Sequence, residues 1–155
     1  MTAWGKMAVA AVALGAGAPV AAQTVEASKP ETIMIALRDA GYRAVLSKDN
    51  SGDPMIKSGA SGVDFSVLFY NCTEHQDCKT VQLYAGFVKK GLTLEAMNKW
   101  NTEHRFGRAY LDDEKDPRIE MDLDLDRGGM SAGLFKANIA TWESLLGDFQ
   151  KAIDF

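Results

Sequence analysis

The chain has 155 residues, a net charge of −4 and two cysteines, with 46% hydrophobic and 25% charged residues. That length gives one domain large enough for its own core. The acidic balance argues against nucleic acid, which rewards clustered Lys and Arg, and against anionic lipid surfaces.

The first 22 residues carry a secretory pattern: Lys6, an apolar run from Met7 to Ala18, and small residues at Val20-Ala21-Ala22. A spanning helix needs ~20 apolar residues, and this run is shorter, holds Gly15 and Gly17, and is followed by Pro19. A signal peptide over residues 1–22 is therefore expected, cut after Ala22, with no membrane association afterwards. No Cys follows the run, which excludes a lipoprotein anchor at that point. Lys6 is the single charge in the segment, so its removal takes the net charge from −4 to −5. A periplasmic or secreted location follows as an expectation.

Residues 23–28 read as a short linker. Ser28 and Glu31 have capping-box spacing and Pro30 suits a first helical turn, so a helix is expected over Lys29 to Ala40 and a stop at Gly41. Strands follow at Tyr42–Ser47, Met55–Ser58, Val63–Asn71 and Lys79–Val88, separated by turns rich in Asp, Asn, Gly and Pro. Thr93 caps a second helix that ends near Arg105. Further strands are expected at Arg108–Asp112 and Arg118–Leu125, joined through Asp112-Asp113-Glu114-Lys115-Asp116-Pro117. Gly128-Gly129 breaks the strand pattern, and Ser131 caps a C-terminal helix that runs almost to Phe155. Asp49–Ile56 and Asp112–Ile119 echo each other as acidic turns leading into Asp-Pro-x-Ile; Asp-Pro is common in turns, and the flanks do not match, so no repeat is assigned. The order α-β-β-β-β-α-β-β-α, with short connections between strands, predicts an α+β fold in which helices pack on one antiparallel sheet.

Cys72 and Cys78 bracket Thr73-Glu74-His75-Gln76-Asp77 between two strands, and a structural disulfide is expected in an exported chain. Cys72, His75 and Cys78 also have a zinc-like spacing, but a tetrahedral site wants a fourth ligand that only His104 or a carboxylate could supply. The spacing is not the Cys-x-x-Cys of redox catalysis. Asn71-Cys72-Thr73 fits a glycosylation acceptor, and a disulfide at its centre disfavours modification.

Glu120, Asp122, Asp124 and Asp126 alternate with Ile119, Met121, Leu123 and Leu125, so a solvated strand face is expected. A calcium loop counted from Asp122 fails at Arg127 and Gly133. The Asp112–Asp116 turn offers carboxylates for hydrolysis, a role that needs one raised pKa in a cleft. His75 and His104 are the only imidazoles, and no Gly-x-Ser-x-Gly, Walker or dinucleotide motif occurs. No catalytic residue, metal or cofactor is assigned. Phe135, Ile139, Trp142, Leu146, Phe149 and Ile153 form one helical stripe, read first as the core face and second as a dimer or client surface.

Several motifs together resemble the YbjN-domain family, labelled a bacterial sensory transduction regulator. They are Gly52-Asp53-Pro54, Phe69-Tyr70-Asn71-Cys72, the run Cys78 to Phe87, Asn98-Lys99-Trp100-Asn101, and Arg105-Phe106-Gly107-Arg108-Ala109-Tyr110-Leu111-Asp112-Asp113. The resemblance spans about Pro30 to Ile153 and places a YbjN-like domain over residues 29–155. It implies a fold similar to type III secretion chaperones, which form homodimers and bind extended client segments, and implies no enzymatic activity. The signal peptide and cysteine pair depart from a cytosolic regulator. The resulting expectation is a non-enzymatic, exported protein-binding module, chaperone-like or adaptor-like, with a protein partner or homodimer. Trp100, Phe106, Tyr110, Trp142 and Phe149 are its candidate contacts. The rival readings are an enzyme using the acidic turn or Cys/His loop, and a small-ligand sensor with a pocket between sheet and helices.

Overall fold

In the computed structural model, Met1 and residues 23–155 are described, so the expected signal peptide lies outside the described residues. The elements are β1 (Thr24–Val25), α1 (Pro30–Asp39), β2 (Ala44–Lys48), β3 (Pro54–Ala60), β4 (Val63–Tyr70), β5 (Thr80–Gly86), α2 (Leu94–Glu103), β6 (Arg108–Leu111), β7 (Pro117–Asp124), β8 (Met130–Ser131) and α3 (Ala132–Ala152). Six strands form one antiparallel sheet in the order β2-β3-β4-β5-β7-β6. The expected α+β architecture is present, with two additional two-residue strands.

Those additions correct the linker reading. Residues 23–28 contain β1, which pairs antiparallel with β8 in a separate ribbon, and Val25 and Ala27 are fully buried. Two apolar positions in a short polar segment carry no period, so the pattern was invisible in the sequence. The predicted Ser28–Glu31 capping box is likewise replaced. Lys29 stands at the N-cap with no side-chain cap bond, and Thr32 ties the helix start down by accepting from the Glu26 N–H at 2.9 Å and donating to the Lys29 carbonyl at 2.8 Å.

Strand alternation sets the two faces of the sheet. Ile56, Phe65, Val67, Phe69, Val81, Leu83, Ala85, Ile119, Met121 and Leu123 point to one side and are buried. Against them lies the stripe of α3, whose Phe135, Ile139, Trp142, Leu146 and Phe149 are fully buried, together with Ile33 and Leu37 of α1. Each such side chain contributes ~1.5–3 kcal/mol by leaving water. Phe65 meets the edge of Trp142 with ring centroids 5.9 Å apart, and Phe149 meets Trp100 at 5.0 Å. The core reading of the α3 stripe is thus the observed one, and no helix among the described residues is long and apolar enough to cross a membrane.

The second helix of the chain order, α2, lies along the edge strand β6. Thr93 caps it as expected, accepting from the Ala96 N–H at 3.2 Å. Asn101 then reaches the edge of the sheet: its Oδ1 accepts from the Ala109 N–H at 2.7 Å, and its Nδ2 donates to the Ala109 carbonyl at 2.9 Å. One amide side chain thereby stands in for a seventh strand at that residue and blunts an otherwise open edge. At the opposite edge, Arg38 of α1 donates through Nε and Nη2 to the Ala44 carbonyl at 3.1 and 2.7 Å.

The two acidic hairpin turns prove to be built alike. In the first, Asp49 Oδ1 accepts from the Ser51 and Asp53 N–H groups; in the second, Asp112 Oδ1 accepts from Glu114 and Asp116. In each, the N–H of the first Asp donates to the carbonyl of the second, and the fourth residue takes a positive φ, 95° at Gly52 and 62° at Lys115. The echo in the sequence is a shared Asp-x-x-x-Asp-Pro turn.

Candidate functional site

The face of the sheet turned away from α1 and α3 carries the polar side chains. From β4 it presents Ser66, Leu68 and Tyr70; from β5, Gln82 and Tyr84; from β7, Arg118, Glu120 and Asp122; from β6, Arg108 and Tyr110. At its centre Glu120 is only 7% exposed. This corrects the expectation of a solvated acidic face at that position, while Asp122, Asp124 and Asp126 are exposed as expected. Glu120 is covered because the register sets Arg108 directly opposite it and Tyr110 two pairs further along, opposite Arg118 on the same face. Arg108 donates to Glu120 Oε2 through Nε at 2.9 Å and Nη2 at 2.8 Å, and its Nη1 lies 3.2 Å from Asp122 Oδ2. Tyr110 donates to Glu120 Oε1 at 2.6 Å. Gln82 donates to Glu120 at 3.3 Å and to Asp122 at 2.8 Å, and accepts from Tyr70 at 3.3 Å.

This network shapes the titration of its members. Burial, then the hydrogen bond to Glu120, pushes the Tyr110 hydroxyl well above its ordinary value. Burial, then the charges of Glu120 and Asp122, raises Tyr70. The bond to Glu120 raises Arg108 further. All three shifts hold the groups in the protonation states that complete the network, which suits a rigid recognition surface more than proton transfer near neutral pH.

The candidate contacts of the sequence divide. Trp100, Trp142 and Phe149 are buried in the core, at 3%, 0% and 0% exposure, so they are corrected from surface to interior. Their helical spacing is the same for a core stripe and a binding stripe, which is why the pattern alone did not separate them. Phe106 is 66% exposed and Tyr110 38% exposed. Phe106 sits at φ 73°, a conformation unusual for a bulky residue, and the Arg105 guanidinium lies 5.1 Å from its ring. Gly107 follows it because a Cβ there would meet Leu145 at 3.0 Å. Sequence reasoning missed Gln82, Arg108 and Glu120 as a set; the signal was the pairing register, which a sequence does not print.

The alternative chemistries lose their groups. Cys72 and Cys78 are joined in a disulfide, so neither offers a thiolate to a metal. His75 instead lies 2.7 Å from Asp53 of the first acidic turn. Among the described residues no group of three or more His, Cys, Asp or Glu is arranged to hold a metal. In the second acidic turn the backbone N–H of Asp116, with Arg118 adding, holds the Asp112 carboxyl below the usual range, opposite to a general acid. Asp116 is buried and accepts from the Lys89 N–H at 3.1 Å and Lys90 Nζ at 2.9 Å. His104 stacks on Trp100 with ring centroids 3.5 Å apart.

A second feature lies at the β2 edge, where the start of α1 and the disulfide-closed loop enclose a cleft of about 490 Å³.

No curated protein matches the chain. The crystal structure of YbjN from E. coli, described as "a putative transcription regulator", superposes with a TM-score of 0.58 at 17% identity, covering 84% of this chain and 91% of that one. At that identity the likeness concerns the fold. The family model of YbjN, described as "Putative bacterial sensory transduction regulator", matches residues 29–155, from the start of α1 through the end of α3. The chain belongs to the YbjN family.

Proposed function

We propose that this chain is a non-enzymatic protein-binding module of the YbjN type, exported to the periplasm or beyond, where it acts as an adaptor or chaperone for envelope proteins. The observation that carries the reading is the sheet face that no helix among the described residues covers. It presents Tyr70, Tyr84 and Tyr110 around a fully paired Arg108–Glu120–Asp122 network, with Phe106 exposed at the entry to β6. Tyrosines supply contact area at small entropic cost, and paired charges set orientation without a large desolvation penalty. The Cys72–Cys78 bond supports an oxidising compartment, in keeping with the secretory pattern of residues 1–22.

The test is site-specific photocrosslinking in intact cells, with the photoreactive residue at Tyr110 or Phe106 and, as a control, at Ser144 on the outer surface of α3. Discrete adducts from the first two positions and none from the third support the reading. A protein that is strictly monomeric by ultracentrifugation and gives no adduct at Tyr110 or Phe106 refutes it.

A further inference from the structure

We propose that the cleft at the β2 edge is a binding site for a short peptide with free termini, and that the disulfide loop forms its wall. It lies on the far side of the sheet from the β6 edge and does not depend on the protein-partner reading.

The first observation is the main chain of β2. The hairpin closes with the Asp49 N–H donating to the Asp53 carbonyl. In an antiparallel ladder this makes Ser47–Met55 and Val45–Lys57 the bonded pairs, so Ala44, Leu46 and Lys48 turn their N–H and C=O groups outward. Arg38 satisfies the Ala44 carbonyl. At Leu46 and Lys48, no side chain among the described residues takes the place that Asn101 fills at the other edge. Open main-chain groups on an edge recognise extended backbone.

The second observation is enclosure. The cleft is bounded by the segment before α1 with Pro30 and Glu31, by Leu46–Lys48 with Pro54, and by His75–Cys78. Its volume of about 490 Å³ is within the usual range for small-ligand sites. Leu46, Pro30 and Pro54 give it an apolar lining for one side chain.

The third is charge. Glu31, Lys48 and Asp77 line the cleft and enter none of the ion pairs among the described residues. Two carboxylates and one ammonium complement a ligand that carries a free amine and a free carboxylate. The open edge from Leu46 to Lys48 is three residues long, which matches a tripeptide with an apolar centre.

The wall depends on the disulfide. His75 is held over Gly52, where a Cβ would lie 3.4 Å from its ring, and is bonded to Asp53. With Cys78 joined to Cys72, the segment 73–77 cannot swing away from the edge. Binding is therefore coupled to the oxidised state.

The experiment is calorimetric titration of the oxidised protein with Ala-Leu-Ala and with the same tripeptide acetylated and amidated. Free Ala-Leu-Ala is expected to bind in the range of about 10 μM to 1 mM, and the blocked form at least about tenfold more weakly. The exposed variant Lys48→Glu, which leaves the core untouched, should weaken the free form by a similar factor. So should the double variant Cys72→Ser/Cys78→Ser, with its fold verified by circular dichroism. No heat of binding up to about 10 mM, equal binding of the blocked tripeptide, or undiminished binding by Lys48→Glu would overturn the site; undiminished binding by the double variant would overturn the loop's part in it. Loss of crosslinks at Tyr110 bears on the sheet face alone, so the two proposals fail separately.

Discussion

Replacing Asn101 by Ala removes the side chain that occupies the β6 edge. Two hydrogen bonds to Ala109, at 2.7 and 2.9 Å, are lost. A typical net contribution is ~0.5–1.5 kcal/mol each, and because the site is at the surface, water rescues part of the unpaired backbone. Ala also gains ~0.5–0.7 kcal/mol of helix propensity over Asn. The balance is a destabilisation of about 1–2 kcal/mol, or a Tm lowered by about 3–6 °C for a domain of this size. Asn98→Ala isolates the edge contribution, since Asn98 is exposed on the same helix and receives the same propensity gain. Urea denaturation of both variants, compared at equal slope, gives the difference directly. If Asn101→Ala is no less stable than Asn98→Ala, the amide does not hold the edge, and the structural account of the Asn98–Asn101 motif is wrong.

Glu120→Ala leaves Tyr110 without its acceptor and Arg108 with Asp122 alone; with the Arg108 side chain partly hydrated, the expected loss is about 2 kcal/mol, and a loss below ~0.5 kcal/mol would show that the network is ornamental to stability. Gly129→Ala is expected to cost at least ~2 kcal/mol, because φ is 71° and the new Cβ would fall 2.0 Å from the Val25 carbonyl oxygen. It should also speed hydrogen exchange of the Ala132 N–H, which donates to the Gln23 carbonyl at 2.9 Å, and unchanged exchange would count against the β1–β8 pairing. Burial, then the bond to Glu143, pushes Tyr42 up to about 12, and Tyr110 is raised in the same direction. Their unfolded counterparts ionise near pH 10, so this stability is complete below pH 10 and is lost as pH climbs toward 12 and beyond. A stability profile over pH 9–12 should fall less steeply in Tyr42→Phe, and identical slopes would refute the assignment.

The sequence made the element order legible because its signals are local. Alternation in Val63–Phe69 and Val81–Phe87, Thr93 and Ser131 as caps, and the Asp-Pro turns each act within a few residues. What it hid depends on pairs distant along the chain. Thr24 and Val25 become a strand only because Met130 and Ser131 lie beside them. Glu120 becomes buried only because the register brings Arg108 and Tyr110 over it. Trp100, Trp142 and Phe149 were ambiguous for another reason: helical periodicity identifies an apolar face without saying what covers it. The disulfide was readable because six residues of separation in a hairpin leave the two thiols little choice.

The strand order β5-β7-β6 has a consequence for how the polypeptide can acquire its shape. Strands β2 to β5 form a meander of neighbours in sequence, each pairing with the strand just made. After that the growing sheet must wait: β6 precedes β7 along the chain yet lies outside it, so β6 has nowhere to pair until β7 is present to join it to β5. A polypeptide ending at Asp113 would retain the meander's partners while α2 and β6 dangle as an orphaned arm. The helix whose Asn101 shields the finished sheet is thus delivered by the same stroke that finishes it, and closing the edge and completing assembly become one event.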